Sequence, residues 1–210
     1  MAELTPMMKQ YFEIKQQYAD TILMFRLGDF YEMFFDDAKL ASRELELVLT
    51  GRDCGQEERA PMCGVPFHSA DSYIARLVAN GHKVAICEQT QDPALAKGLV
   101  TRDVVRVLTP GTVIEHNMLD EGRNNFLACV FYNLDKAGIC FADVSTGAVH
   151  LTQLNAPEIL VKITNELGHY MPSEILSNPD PAVTKAVQGF LSSGATSTTE
   201  TLPESRFVFE

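Results

Sequence analysis

The chain has 210 residues, 46% of them hydrophobic and 21% charged, a balance that builds folded domains and excludes disorder throughout. Its formal net charge is −11 and both halves are acidic; this excludes a generic nucleic-acid binder, because non-specific duplex affinity comes from Lys and Arg neutralising phosphates. No apolar run is long enough to cross a bilayer, and the amino terminus lacks the basic-then-apolar layout of a secretory signal, so no membrane is involved and the expected location is the cytoplasm.

Thr5 is a good N-cap with Pro6 at the first helical position, and Met8, Phe12, Ile14 and Tyr18 give the helix that follows an apolar face. Thr21 to Leu27 reads as a strand. Gly28-Asp29 is a joint, after which Tyr31 to about Glu44 repeats at helical spacing, with Phe34, Ala38, Ala41 and Leu45 on one stripe. Phe30 and Glu32 are two apart. They share a side if the chain is extended there, and lie on nearly opposite sides if it is helical. From the residues alone, the plainer reading puts Phe30 in the core and leaves Glu32 as a solvated first-turn acid favoured by the helix dipole.

Leu45 to Leu49 alternates as a second strand ended by Gly51, and Arg52 to Arg59 is polar enough for an exposed loop. Pro61 and Pro66 bracket Met62-Cys63-Gly64-Val65, and two prolines and a glycine in six residues argue against both helix and central strand. Met62 is then either a loop anchor or a side chain shown to a partner. Ser69 or His68 caps a helix from about Ala70 to Asn80, ended by Gly81; Lys83 to Glu88 follows as a buried strand. Pro93 to Gly98 is a turn or short helix, and Val100 to Leu108 a strand.

Lys97, Arg102 and Arg106, opposed only by Asp103, form the best basic patch. Arg102 and Arg106 are an even number apart, so on a regular strand both face one way and reach backbone phosphates together; the plainer alternative is a solvated sheet edge.

The polar segment 115–125 is the expected linker between a domain at 1–114 and a second at 126–210. In the second, Phe126 to Asn133, Gly138 to Asp143 and Ala148 to Leu154 read as strands joined by short turns. Asn155 and Pro157 open a helix to about Leu167, Glu174 to Leu176 is a strand, and Pro181 to Leu191 is a helix. Ser192 to Thr201, mostly Ser, Thr, Gly and Ala, reads as a flexible loop. The five cysteines, at 54, 63, 87, 129 and 140, are scattered, with no Cys-x-x-Cys pair to suggest zinc or redox chemistry; they read as small packing residues. His68 and His82 have no metal-type partner at useful spacing.

Several of these runs belong together. Thr5-Pro6-Met7-Met8, Gly28-Asp29-Phe30-Tyr31-Glu32, Ala60-Pro61-Met62-Cys63-Gly64-Val65-Pro66-Phe67-His68, Val84-Ala85-Ile86-Cys87-Glu88-Gln89, Val104 to Thr112 and Asp143-Val144-Ser145-Thr146-Gly147 occur in the order found at the amino-terminal end of the bacterial MutS family of DNA mismatch sensors. The chain resembles that family across all but its last forty or so residues. The resemblance implies an α/β fold of two domains: a mixed-sheet mismatch-recognition domain with helices around it, then a ribonuclease-H-like connector, expected to be truncated because the chain stops before that fold is complete.

The resemblance also implies that Phe30 and Glu32 are the mismatch reader, Phe30 wedging from the minor groove and Glu32 hydrogen-bonding a mispaired base, which reverses the plainer reading of both. It puts Met62 near the bound DNA. Mismatched duplex is the implied partner, with a MutL-like protein at the connector and a homodimer in the parent protein. The parent would be an ATPase using ATP and Mg, but no Gly-x-x-x-x-Gly-Lys-[Ser/Thr] run occurs in this chain, so no cofactor and no catalytic residue are expected here.

Two other classes compete. A metal-dependent nuclease on a ribonuclease-H-like fold needs clustered carboxylates, and only Asp143 is well placed; Asp135, Glu158, Glu166 and Glu174 do not fall at equivalent strand ends. A pure interaction module is the other, with DNA incidental.

Overall fold

The computed structural model describes residues 3–91 and 98–207. The predicted turn that begins at Pro93, with Lys97 in it, lies outside the described residues except for Gly98. The chain divides into two compact units, Met1–Thr109 and Pro110–Glu210, each built on one mixed sheet. The polar segment 115–125 falls within the second.

In the first unit, α1 (Pro6–Gln17) begins as its sequence predicts, with the Met8 N–H donating to the Thr5 hydroxyl and Pro6 in the first turn. Then come β1 (Ile22–Leu27), β2 (Phe30–Phe34), α2 (Phe35–Glu44), β3 (Thr50–Arg52), β4 (Ala60–Pro66), α3 (Ala70–Ala79), β5 (Val84–Gln89) and β6 (Arg102–Leu108). The sheet order is β3-β4-β2-β1-β5-β6; β1 and β5 are parallel and every other pair is antiparallel.

Three expectations are corrected. Phe30 to Phe34 is a strand and not the start of a helix: Gly28, at φ +58, and Asp29 make a two-residue hairpin turn that folds β2 back on β1, and the aromatic run suits a strand paired on both sides. Leu45 to Leu49 is not a strand, because Glu46 sits in the left-handed region at φ 58 and breaks the extended run; pairing begins at Thr50. The Pro-bracketed segment is a strand after all. Pro61 and Pro66 stand near its two ends, where fewest ladder donors are needed, and the Phe67 N–H resumes donation to the Asp29 carbonyl at 2.9 Å.

Alternation then sorts the side chains by face. Leu23, Phe25, Phe34, Ala85 and Cys87 turn to one side and pack with Met8, Tyr11 and Ile14 of α1. Met24, Met33, Cys63 and Val65 turn to the other, beneath α2 and α3, where the Cys63 thiol donates to the Ala38 carbonyl. Tyr11 is the centre of the first layer, with its ring 5.1 Å from Phe34 and 5.6 Å from Phe25.

The second unit holds β7 (Leu127–Asn133), β8 (Lys136–Asp143), β9 (Ala148–Asn155), α4 (Ile159–Tyr170), β10 (Glu174–Ser177), α5 (Pro181–Ser192) and β11 (Thr198–Thr201). Strands β7, β8 and β9 form an antiparallel meander, and β10 and β11 add in parallel beside β7, giving the order β11-β10-β7-β8-β9. Helices α4 and α5 cover one face, closing a core around Ile139, Phe141, Ile163, Leu167, Val183 and Phe190.

The first turn of the meander is the two-residue Leu134-Asp135, with Leu134 at φ 50, and β8 begins at Lys136, ahead of the start expected at Gly138. Asn155 ends β9 instead of capping the helix, which starts behind Glu158. The stretch expected to be a flexible loop contains β11, because the Thr-Thr-Glu-Thr run finds a parallel partner in β10.

Asp143, the nuclease candidate, ends β8, and its side chain caps the turn to β9. Its buried carboxylate accepts from the Ser145 N–H and hydroxyl, the Thr146 N–H and the Asn125 N–H, at 2.6–3.2 Å. Burial pushes its pKa up, but these four donors outweigh that and hold it below the ordinary aspartate value. Its lone pairs are spent on the β8–β9 turn and on the segment entering β7, and among the described residues no group of three His, Cys, Asp or Glu is placed to hold a metal. Asp143→Ala orphans buried donors, so the expected loss is about 2–4 kcal/mol of unfolding free energy, read by urea titration.

Candidate nucleic-acid interface

Because β2 is extended, Phe30, Glu32 and Phe34 stand in file on one face of the sheet. Helix α1 covers only part of that face. Phe34 lies under it at 0% exposure, Glu32 is half-buried, and Phe30, beyond its reach, is 44% exposed. One strand thus carries a core aromatic at one end and a displayed aromatic at the other. Phe30 is flanked by its cross-strand partners Leu27 and Pro66, and Glu32 by Phe25 and Gly64.

Glu32 is an acceptor without a local donor. Among the described residues, no hydrogen bond or ion pair engages its carboxylate, whose three atoms lie over the Cα of Gly64. Burial raises its pKa, and the positive charge of Arg52 on β3 partly opposes the rise. The same carboxylate, after burial, contributes to pushing the Cys63 thiol up to about 11.

The raised pKa has a consequence for stability. The folded state holds the Glu32 proton more tightly than the unfolded chain, so as pH climbs above the ordinary value of 4.5 ionisation costs the folded state stability. Glu32→Gln removes that cost. The variant is expected to melt higher than wild type at pH 7, with the gap closing as pH falls to about 4 and below.

The hairpin that presents Phe30 is braced from the opposite face. The Arg26 guanidinium lies 3.7 Å from the Phe67 ring centroid and 3.4 Å from the Glu88 carboxylate, to which the Tyr31 hydroxyl also donates. Burial, then this carboxylate, pushes the Tyr31 pKa up to about 12. Sequence reasoning missed Arg26, Tyr31, Phe67 and Glu88 as a group. Their only signal was a polar residue in each of two apolar strands, and their meeting depends on the β1–β5 pairing.

The basic patch is redistributed. A bulge between β5 and β6 pairs Ile86 with Arg106 but Cys87 with Val104, leaving Val105 extra, so Arg102 and Arg106 face opposite ways despite their even spacing. Arg102 is on the Phe30 face of the sheet but engaged, its Nε donating to the Arg26 carbonyl at 2.7 Å and Nη1 to Gln10 Oε1 and the Val100 carbonyl at 2.9 Å. Its guanidinium also lies 4.9 Å from the Phe25 ring centroid. Met62 stands beside Phe34 on the same face and packs against the core under α1, which favours the anchor. Arg52, which the sequence placed at the start of an exposed loop, is the cation that bears on Glu32.

This arrangement is a sheet rim with one exposed aromatic ring and, beside it, a half-buried carboxylate that no protein donor among the described residues engages. The family model for MutS domain I matches residues 5–117, and that for MutS domain II matches residues 125–205. Curated proteins named DNA mismatch repair protein MutS are similar. Those of Acetivibrio thermocellus and Ruminiclostridium cellulolyticum are each 61% identical over 178 residues, covering 85% of this chain and 20% of the relative. That of Clostridioides difficile is 55% identical over 178 residues, covering 85% and 18%. The chain therefore spans about a fifth of the length of the curated relatives it matches. With one family model covering its first unit and another its second, the chain belongs to the MutS family and carries that family's domains I and II.

Proposed function

We propose that this chain is the mismatch-reading region of a MutS protein acting in DNA mismatch repair, with Phe30 as the wedge and Glu32 as the reader of a freed base edge. The observation that carries this reading is the shared, extended face of β2, which displays Phe30 and holds Glu32 two residues away with no donor among the described residues.

A mispaired step is cheaper to unstack than a paired one, so a wedge entering the minor groove senses deformability instead of sequence. Unstacking costs about a few kcal/mol and least where pairing is already broken. Glu32 supplies the complementary test. A carboxylate is repelled by phosphates, and the Watson–Crick N–H groups of a matched pair are already occupied, whereas a mispaired base frees one of them. The net charge of −11 fits this division, since affinity comes from placed groups and not from a general positive field.

Met62 flanks the reader on β4. Arg102 is a positioning residue for the sheet rim, and phosphate contact by Lys97 or Arg106 is a separate matter for each. We place the domain boundary in 115–125, supported by the end of one family match at 117 and the start of the next at 125. The second unit acts as connector and as the docking site for a MutL-like protein, while ATP and Mg chemistry and dimer formation reside in the rest of such a protein. The test is duplex binding by the full-length protein, comparing a G·T mispair with its G·C control for wild type and Phe30→Ala; an unchanged preference in the variant rejects the wedge.

A further inference from the structure

Gly64 has an ordinary strand backbone, with no positive φ to require glycine, and glycine within a strand costs about 0.5–1 kcal/mol relative to alanine. Its missing side chain must therefore serve space. A Cβ built there would lie 2.2 Å from Oε2, 2.7 Å from Cδ and 3.1 Å from Oε1 of Glu32, so the nearest atoms it meets are the three of that one carboxyl group.

We propose that Gly64 is a specificity-determining residue of the reader: the space above its Cα is the resting seat of the Glu32 carboxylate, which keeps that charge drawn back across β4 until a base edge offers it a donor. This rests on Glu32 being a reading group. On the same face the seat has Phe34 and Met62 one pair inward, Phe25 across on β1 with the Arg102 guanidinium over its ring, and the exposed Phe30 with Pro66 one pair outward. Burial in the seat disfavours the ionised carboxylate, and the positive charge of Arg52, on β3 beyond β4, partly offsets that. A side chain at 64 leaves the carboxylate one way to go, outward beside Phe30, where a matched duplex meets an unpaired negative charge. Only the end of a flexible side chain has to move, so the fold survives the change.

The test uses the full-length protein and four forms: wild type, Gly64→Ala, Glu32→Ala and the double variant, each titrated with G·C and G·T duplexes. Gly64→Ala is expected to weaken G·C binding about threefold or more without lowering its melting temperature, and to have no effect on binding once Glu32 is alanine. In the 210-residue chain, carboxyl carbon NMR should show the Glu32 titration midpoint moving down toward the ordinary glutamate value in Gly64→Ala, since the displaced group is hydrated. The inference is overturned if Gly64→Ala unfolds the protein, binds G·C as wild type does, acts equally in both backgrounds, or leaves the Glu32 midpoint where it was. If Glu32→Ala itself changes neither duplex affinity, the reading of Glu32 fails first, and the seat with it.

Discussion

Phe30→Ala is expected to remove the preference for G·T over G·C duplex while leaving the protein folded. An aromatic ring stacked on a base is worth about 1–3 kcal/mol by alanine substitution, so affinity for the mispair should drop about 5- to 150-fold. The matched duplex, which the wedge does not enter, should change little. Stability should hardly respond, because the ring is 44% exposed and its removal leaves no cavity in the core. Measuring mispair affinity together with the melting temperature separates the two roles a phenylalanine can have here. A large loss of stability with discrimination retained would return Phe30 to the core and remove the basis of the proposed function.

The same substitution four residues along should do the reverse. Phe34 is fully buried, with its ring 5.1 Å from Tyr11 and 6.4 Å from Phe25, and the Tyr11 hydroxyl donates to its carbonyl. Phe34→Ala empties the centre of the layer between α1 and the sheet, at an expected cost of about 3–5 kcal/mol, measured by chemical denaturation. In a domain whose whole stability is about 5–15 kcal/mol, that is enough to populate the unfolded first unit. Mismatch binding would then fall with the folded fraction, and conditions that restore folding should restore discrimination. Phe30→Ala has no such rescue. The contrast between two phenylalanines on one face of one strand is thus a direct measure of where α1 stops.

Much of this was legible in the residues. Thr5-Pro6 announced α1 with its cap, runs joined by short turns announced most of the second unit's strands, and the ordered motifs from Thr5 to Gly147 carried the family. Gly28-Asp29 was legible as a joint, though not as a hairpin turn, since Tyr31 to Glu44 also satisfies a helical period. Pro61 and Pro66 spoke against a strand, and only partners on both sides made one of Ala60–Pro66.

The sequence by itself determined which side chains the proposed reader would use, an aromatic and a carboxylate two apart behind a turn, and the acidic balance that leaves no general positive field. Tertiary structure alone decided that they share a face, that α1 leaves Phe30 bare while it buries Phe34, that Gly64 lies under Glu32, and that a bulge sets Arg102 and Arg106 back to back. The reason is physical. Caps and periodicities depend on neighbours along the chain, whereas strand register, bulges and helix coverage depend on residues tens of positions away.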